Sequence, residues 1–210
     1  KVSVAAYTSG KLVVQGGGTA DFVSFLLEPE ILHTFTFGLG GEEAADEPVD
    51  PHGGIDESGK GDFFGPLIIA GVYADAETGP ELRKIGCCDS KLIHSSKRIM
   101  ELAGKIRAVT GGRYAVVTLY PGTYNRLYRE IGNLNRLLAW GHARTIENLL
   151  EKVPECPRML SDKFGDERLI QRALLARGRT VQMDQRTKAE SDVAVAAASI
   201  LAREQFLKGM

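Results

Sequence analysis

Asp56 and Glu57 stand side by side at the end of a short apolar lead-in, and Gly59-Lys60-Gly61 follows almost at once. Adjacent carboxylates repel each other, so a folded chain tolerates them best in water or on a cation. The glycines free backbone N–H groups from neighbouring Cβ atoms. With a lysine between them, they suit a phosphate or a sugar edge. An acid pair able to hold metal beside a turn able to hold phosphate points to nucleotide or nucleic-acid chemistry.

The same stretch invites a P-loop reading, because Gly54 through Lys60 satisfies G-x-x-x-x-G-K. Gly61 then stands where Ser or Thr should meet magnesium. Asp56 and Glu57 would also lie inside a cradle built for anionic phosphate, where like charges oppose binding. The P-loop is rejected on both grounds. A solvated acidic turn with glycines is the bland alternative.

Two further acids lie in suggestive places. Asp162 ends the strand-like Met159-Leu160-Ser161, and strand ends are where α/β sheets bind ligands. A turn or capping acid would look the same. Glu190, in Lys188-Ala189-Glu190-Ser191-Asp192, sits at the expected start of the last helix, where a carboxylate also simply suits the dipole. Asp89-Ser90-Lys91 reads as a capping acid and a surface lysine. Asp56, Glu57, Asp162 and Glu190, brought by three separate segments, would make a site for a hard divalent cation. Paired ions of that kind activate a water and stabilise the leaving oxygen of a phosphodiester. Spacing alone leaves open whether the four converge.

The elements that must position them follow from periodicity and turn chemistry. Val2–Tyr7 and Lys11–Gln15 read as a hairpin around Thr8-Ser9-Gly10, and Thr19 to Leu27 as a helix. Residues 33–53 are acidic, Gly-rich and Pro-containing, a linker with a domain boundary inside it. Beyond it strands and helices alternate. Strands are expected at Gly54–Glu57, Leu67–Tyr73, Arg113–Leu119, Arg158–Ser161 and Thr180–Met183. Helices are expected at Ser95–Val109, Pro121–Arg129, Leu134–Leu150, Asp166–Ala176 and Glu190–Lys208. The last carries a small-residue face of Ala194, Ala197 and Ala198 that allows close packing on a sheet. Phe63 and Phe64 could stack on a nucleotide, but packing behind the glycine turn is the favoured expectation. Tyr120, Tyr124, Tyr128 and Trp140 are expected in the core or lining a groove.

Composition narrows the class. The 210 residues are 43% hydrophobic and 25% charged, with a net charge of −1. That is ordinary globular composition, enough for one good core and a smaller module. Residues 41–57 hold seven acids and no Lys or Arg, and removing those seven charges from −1 leaves the remainder at +6. A modestly basic body of this kind can meet a polyanion. Cys87, Cys88 and Cys156 form no disulfide framework, and no Cys/His spacing resembles a zinc site, so a reduced cytoplasmic setting fits. No apolar run has membrane-spanning length, and no signal peptide is visible. The chain starts at Lys1 in a strand pattern and stops at Met210 in a helical one, as a piece of a longer protein would.

The run Asp56-Glu57-Ser58-Gly59-Lys60-Gly61-Asp62-Phe63-Phe64-Gly65-Pro66-Leu67 resembles the signature of the type 2 ribonucleases H. Asp89-Ser90-Lys91 is similar to another part of it. So is Lys188-Ala189-Glu190-Ser191 leading into Ala194-Val195-Ala196-Ala197-Ala198-Ser199-Ile200-Leu201-Ala202-Arg203. Gly-Lys-Gly in place of Gly-Arg-Gly, and Glu190 as the fourth acid, resemble the ribonuclease HIII branch. Tyr7 to Gly16 is similar to the end of that branch's TATA-binding-protein-like domain.

The resemblance implies an α/β fold, a ribonuclease H-like mixed sheet flanked by helices and preceded by a partial β-rich module. Residues 1–32 would be the remnant of the substrate-binding domain, 33–53 the linker and 54–210 the catalytic domain, truncated at its C-terminus. It implies a metal-dependent endonuclease, a hydrolase cleaving the RNA strand of RNA/DNA hybrids and leaving 5′-phosphate and 3′-hydroxyl ends. Asp56, Glu57, Asp162 and Glu190 would be the catalytic acids on Mg2+ or Mn2+. Ser58 and the Gly59-Lys60-Gly61 backbone would meet the RNA strand, with Lys60 and Lys91 on phosphates. The partner would be the hybrid duplex, with no membrane, and the enzyme a monomer. Two rivals remain: cleavage at single embedded ribonucleotides, as in the HII branch, and a hybrid-binding module without activity.

Overall fold

A computed structural model describes residues 1–32, 48–162, 167–175, 178–187 and 189–210. The linker expected at 33–53 therefore lies largely outside the described residues, as do Asp166 and Ala176, the expected ends of one helix. The leading hairpin forms as expected, with β1 (Ser3–Ala6) antiparallel to β2 (Leu12–Gln15). The helix after it is α1 (Thr19–Phe22), continued by a wider π-helical stretch, Val23–Leu32.

The main sheet has five strands: β3 (His52–Ser58), β4 (Leu67–Ala74), β5 (Tyr114–Leu119), β6 (Arg158–Asp162) and β7 (Gln182–Arg186). Their order is β5-β4-β3-β6-β7. The β5-β4-β3 meander is antiparallel, and β6 and β7 run parallel to β3, so the sheet is mixed. β4 is Leu-Ile-Ile-Ala-Gly-Val-Tyr-Ala and buried along its whole length, the mark of a central strand covered on both faces.

Six more helices complete the described residues: α2 (Thr78–Lys84), α3 (Ser96–Thr110), α4 (Pro121–Ile131), α5 (Leu134–Leu150), α6 (Glu167–Ala173) and α7 (Val193–Gly209). α3 and α7 cover one face, burying Ile99, Leu102 and Ile106 with Ile200 and Leu201 over Ile68, Ala70 and Val72. α5 and α6 cover the other, where Leu137, Ile146, Leu149 and Ile170 pack on Ile55 and Ile69.

Boundaries follow local chemistry. Ser95 accepts from Arg98 N as the N-cap of α3, Asn133 caps α5, and Gly111 at φ 57° ends α3. The alanines of α7 approach β3 so closely that a Cβ at Gly54 would collide with Val195 N and the Ala194 backbone. α2 was not anticipated. Pro80 in its first turn and its seven residues leave little periodic signal, and Asp75, accepting from the Thr78 amide at 2.8 Å, starts it. The last helix is shorter than expected: Ala189–Ser191 forms a separate 3-10 turn, and Asp192 caps α7 by accepting from Ala194 N and Val195 N.

Candidate active site

Along a strand, successive side chains leave opposite faces, and that alternation separates Asp56 from Glu57. β3 pairs with β6 through Gly54↔Leu160 and Ile55↔Ser161, so one step further brings Asp56 beside Asp162 at neighbouring strand ends. Gly54 backs onto α7 and Leu160 packs with Val195, which places Asp56 and Asp162 on the α7 face. Glu57 leaves on the other face. Its Oε2 accepts from His142 Nε2 of α5 at 3.1 Å, and Lys60 Nζ lies 3.3 Å from Oε1.

The two neighbours consequently differ in charge state. Burial, then the Glu57 charge beside it, pushes the Asp56 carboxyl up to about 7. The Glu57 amide, which donates to Asp56 Oδ1 at 2.8 Å, and Lys91 pull partly the other way. Burial would raise Glu57 as well, but the His142 hydrogen bond and charge and the Lys60 charge outweigh it. Its carboxyl falls to about 2.

Lys91, in a short 3-10 turn (Ser90–Leu92), and Asp89, its cap, act on Asp56 through their charges. Ser199 of α7 tethers that turn, its Oγ accepting from the Ser90 amide at 3.1 Å. Glu190 sits half-buried in the 3-10 turn after β7, and its neighbour Ala189 packs on Leu160 and Val195. Glu190 thus approaches from the β6–β7 side, ahead of the last helix rather than on it. Among the described residues no three His, Cys, Asp or Glu side chains gather closely enough to hold an ion. Strand register sets Asp56 and Asp162 at adjacent positions on one face, while Glu57 is turned away to His142.

The glycine turn crowns the β3–β4 hairpin at the same end of the sheet. Gly59 and Gly61 hold φ of 84° and 81°, the left-handed region, and a Cβ at Gly59 would collide with Pro66 O. Ser58 is half-buried at the end of β3, and Lys60 keeps 40% of its side chain exposed. Phe63 and Phe64 do not pack behind the turn as expected. They are 87% and 78% exposed, because Phe206 already fills the space beneath it. Tyr124 and Trp140 line the α5 side of the core as expected, while Tyr120 and Tyr128 are exposed.

His142 was missed by sequence reasoning. A lone His carries no spacing signal, and only the packing of α5 on β4 and β5 aims it at Glu57 on the neighbouring strand. His52 was missed too. It is buried at the start of β3 and lies 2.9 Å from the Asp192 carboxylate, tying β3 to the cap of α7.

The sheet order, the helices on both faces and the acids at adjacent parallel strand ends define a ribonuclease H-like protein. Structural comparison agrees. Bst-RNase HIII in complex with Mn2+ superposes at a TM-score of 0.68, with 27% identity over 100% of this chain and 69% of that one. RNase HII in its PCNA complex from Archaeoglobus fulgidus gives 0.61 and 30%, over 75% of this chain and 72% of that one.

The family model for Ribonuclease HII matches residues 53–210, and the chain belongs to that family, on its ribonuclease HIII branch. Ribonuclease HIII of Protochlamydia amoebophila (strain UWE25) is 48% identical over 204 residues, covering 97% of this chain and 65% of its own length. Ribonuclease HIII of Chlamydia muridarum (strain MoPn / Nigg) is 48% identical over 211 residues, covering 100% and 67%. The chain therefore spans about two thirds of the length of the curated relatives it matches.

Proposed function

We propose that residues 54–210 are the catalytic domain of an endoribonuclease that cleaves the RNA strand of RNA/DNA hybrids, leaving 5′-phosphate and 3′-hydroxyl ends. The observation that carries this reading is Asp56: a half-buried carboxyl, pushed up to about 7, one register step beyond the pairing of β3 with β6 and so level with Asp162. The Lys91 charge offsets only part of the burial and repulsion at Asp56, and all-oxygen donors suit a hard cation. Asp56, Glu57, Asp162 and Glu190 would hold Mg2+ or Mn2+ only once drawn together, with Glu57 turned from His142. Bound divalent ions supply an activated water and stabilisation of the leaving oxygen.

The chain's own groups do the rest. The Gly59-Lys60-Gly61 backbone, with Ser58 before it, meets 2′-hydroxyls, the feature that separates RNA from DNA. Lys60 and Lys91 take phosphates on either side of Asp56. His142 keeps Glu57 ionised. Residues 1–32 belong to a module that grips the hybrid, joined through 33–53. The enzyme works as a monomer in the cytoplasm. That setting is supported by three free, buried cysteines and by the lack of any helix, among the described residues, long and apolar enough to cross a membrane.

The deciding experiment incubates the complete protein with a labelled hybrid, with Mg2+ and with Mn2+, beside the Asp56→Asn variant. Metal-dependent cutting of the RNA strand, lost in the variant, is the expected result. Preference for a duplex with one embedded ribonucleotide would overturn the substrate assignment. Hybrid binding without cleavage in either metal would overturn the activity.

A further inference from the structure

Phe63 and Phe64 are the most exposed large apolar side chains among the described residues, at 87% and 78%. Their backbone is nonetheless held. Asp62 Oδ1 accepts from Phe64 N at 2.9 Å and from Gly65 N at 2.6 Å, and Asp62 N donates to Gly59 O at 3.1 Å. Phe206 of α7 supports both ends of the turn, since a Cβ at Gly59 or Gly65 would press on its ring. The two rings meet edge to face, 5.0 Å apart at 81°. A turn pinned from below thus presents two adjacent aromatic rings to water, forgoing the transfer free energy that burial would give them.

What covers them follows from where they stand. The rings top the same hairpin as Gly59-Lys60-Gly61, at the sheet end that carries Asp56 and Asp162. A ligand seated over the acids and the glycine turn reaches the rings next. On the reading of the preceding subsection, that ligand is a hybrid duplex. RNA-type helices have a wide, shallow minor groove lined by sugars, whereas the B-DNA minor groove is only about 6 Å wide. Phosphates and hydroxyls suit Lys60 and the backbone of the glycine turn, and sugar faces suit bare rings.

We propose that Phe63 and Phe64 form an apolar wedge that seats in the minor groove of the hybrid, against the sugars, and favours hybrid over DNA duplex. Apolar wedges between or against nucleotides are a known way for a protein to exploit groove shape.

The test replaces both residues (F63A/F64A) in the complete protein. Fluorescence anisotropy in EDTA then reads binding to a labelled hybrid and to a DNA duplex of the same sequence, across a salt series. The hybrid Kd is expected to rise about tenfold, within the range seen for removing aromatic contacts to nucleotides. DNA-duplex affinity should barely change, so the preference for hybrid falls by a similar factor. The slope of log Kd against log salt should stay at the wild-type value, because an apolar contact releases no counterions. Tm should be unchanged, and F63Y/F64Y should restore affinity.

An unchanged hybrid Kd overturns the proposal. If Tm also falls, the rings pack on another part of the protein. An altered salt slope overturns it too, because the loss would then be electrostatic. Failure of the wild-type protein itself to bind or cut the hybrid would instead sink the functional reading, and it would show before any variant is made.

Discussion

His142 Nε2 meets Glu57 Oε2 at 3.1 Å across the interface of α5 and β3, with the imidazole 1% and the carboxylate 12% exposed. The acid that sequence places beside Asp56 is therefore held on the opposite face of the sheet, ionised and oriented by a residue 85 positions away. His142 is a positioning residue. His142→Ala should lower kcat at least tenfold and cost about 1–3 kcal/mol of stability by stranding a buried carboxylate. His142→Gln, which can still donate, should recover much of both. Equal loss of kcat in Ala and Gln, read by steady-state kinetics with urea unfolding alongside, would show that bulk rather than the hydrogen bond matters.

Asp56 gives a pH signature to the metal-free protein. Its folded carboxyl lies at about 7, above its ordinary value of 3.8, so the folded state holds an extra proton between those limits. That stability is fully present below pH 4 and is lost as pH rises through 7. Asp56→Asn should abolish cleavage yet raise the metal-free Tm at pH 8 by a few degrees, equivalent to about 1 kcal/mol. Adding Mn2+ at pH 8 should raise the wild-type Tm and leave the variant's nearly unmoved. Thermal melts at pH 5 and 8, with and without metal, check all of this together.

Glu204 and Arg107 carry the opposite dependence. Glu204 is 3% exposed and lies 2.8 Å from Arg107, with Lys208 on its other side. Burial raises its carboxyl, but the Arg107 and Lys208 hydrogen bonds more than reverse this and leave it below its ordinary value of 4.5. The stability it contributes is present above 4.5 and lost as pH falls through the lowered value. Arg107→Ala should cost about 1–3 kcal/mol by leaving the buried Glu204 carboxylate with Lys208 alone, and the cost should shrink in acid. Equilibrium unfolding at pH 7 and pH 3.5 measures the difference.

Lys60→Ala should weaken hybrid binding and reduce the salt slope by about 1, the loss of one phosphate contact. A slope equal to wild type would remove Lys60 from the phosphate contacts. This is the counterpart of the phenylalanine pair, whose removal leaves the slope alone.

Gly54→Ala tests how α7 is seated. The added Cβ would meet backbone of Val195 and Ala194 rather than a flexible side chain end, so relief requires moving the helix. A loss of about 1–3 kcal/mol is expected from overpacking, with a drop in activity because α7 also holds the Ser90 turn. Denaturation and hybrid cleavage rates check the two effects.

Much of the fold was legible along the chain because its signals are local. Leu134–Leu150 was read with its observed limits, Ser95 and Gly111 punctuate α3 by their own chemistry, and the apolar run after Pro66 announces β4. The glycine turn and the strand positions of Asp56 and Asp162 were legible too, since turn residues and short apolar runs mark where strands lie. What sequence could not decide is which way side chains face and what they meet. Alternation along β3, register with β6 and the packing of α5 send Glu57 to His142 and Asp56 toward Lys91. The same packing puts Phe206 under the glycine turn and leaves Phe63 and Phe64 outside. Those outcomes depend on contacts between residues far apart in the chain, and only the assembled tertiary structure decides them.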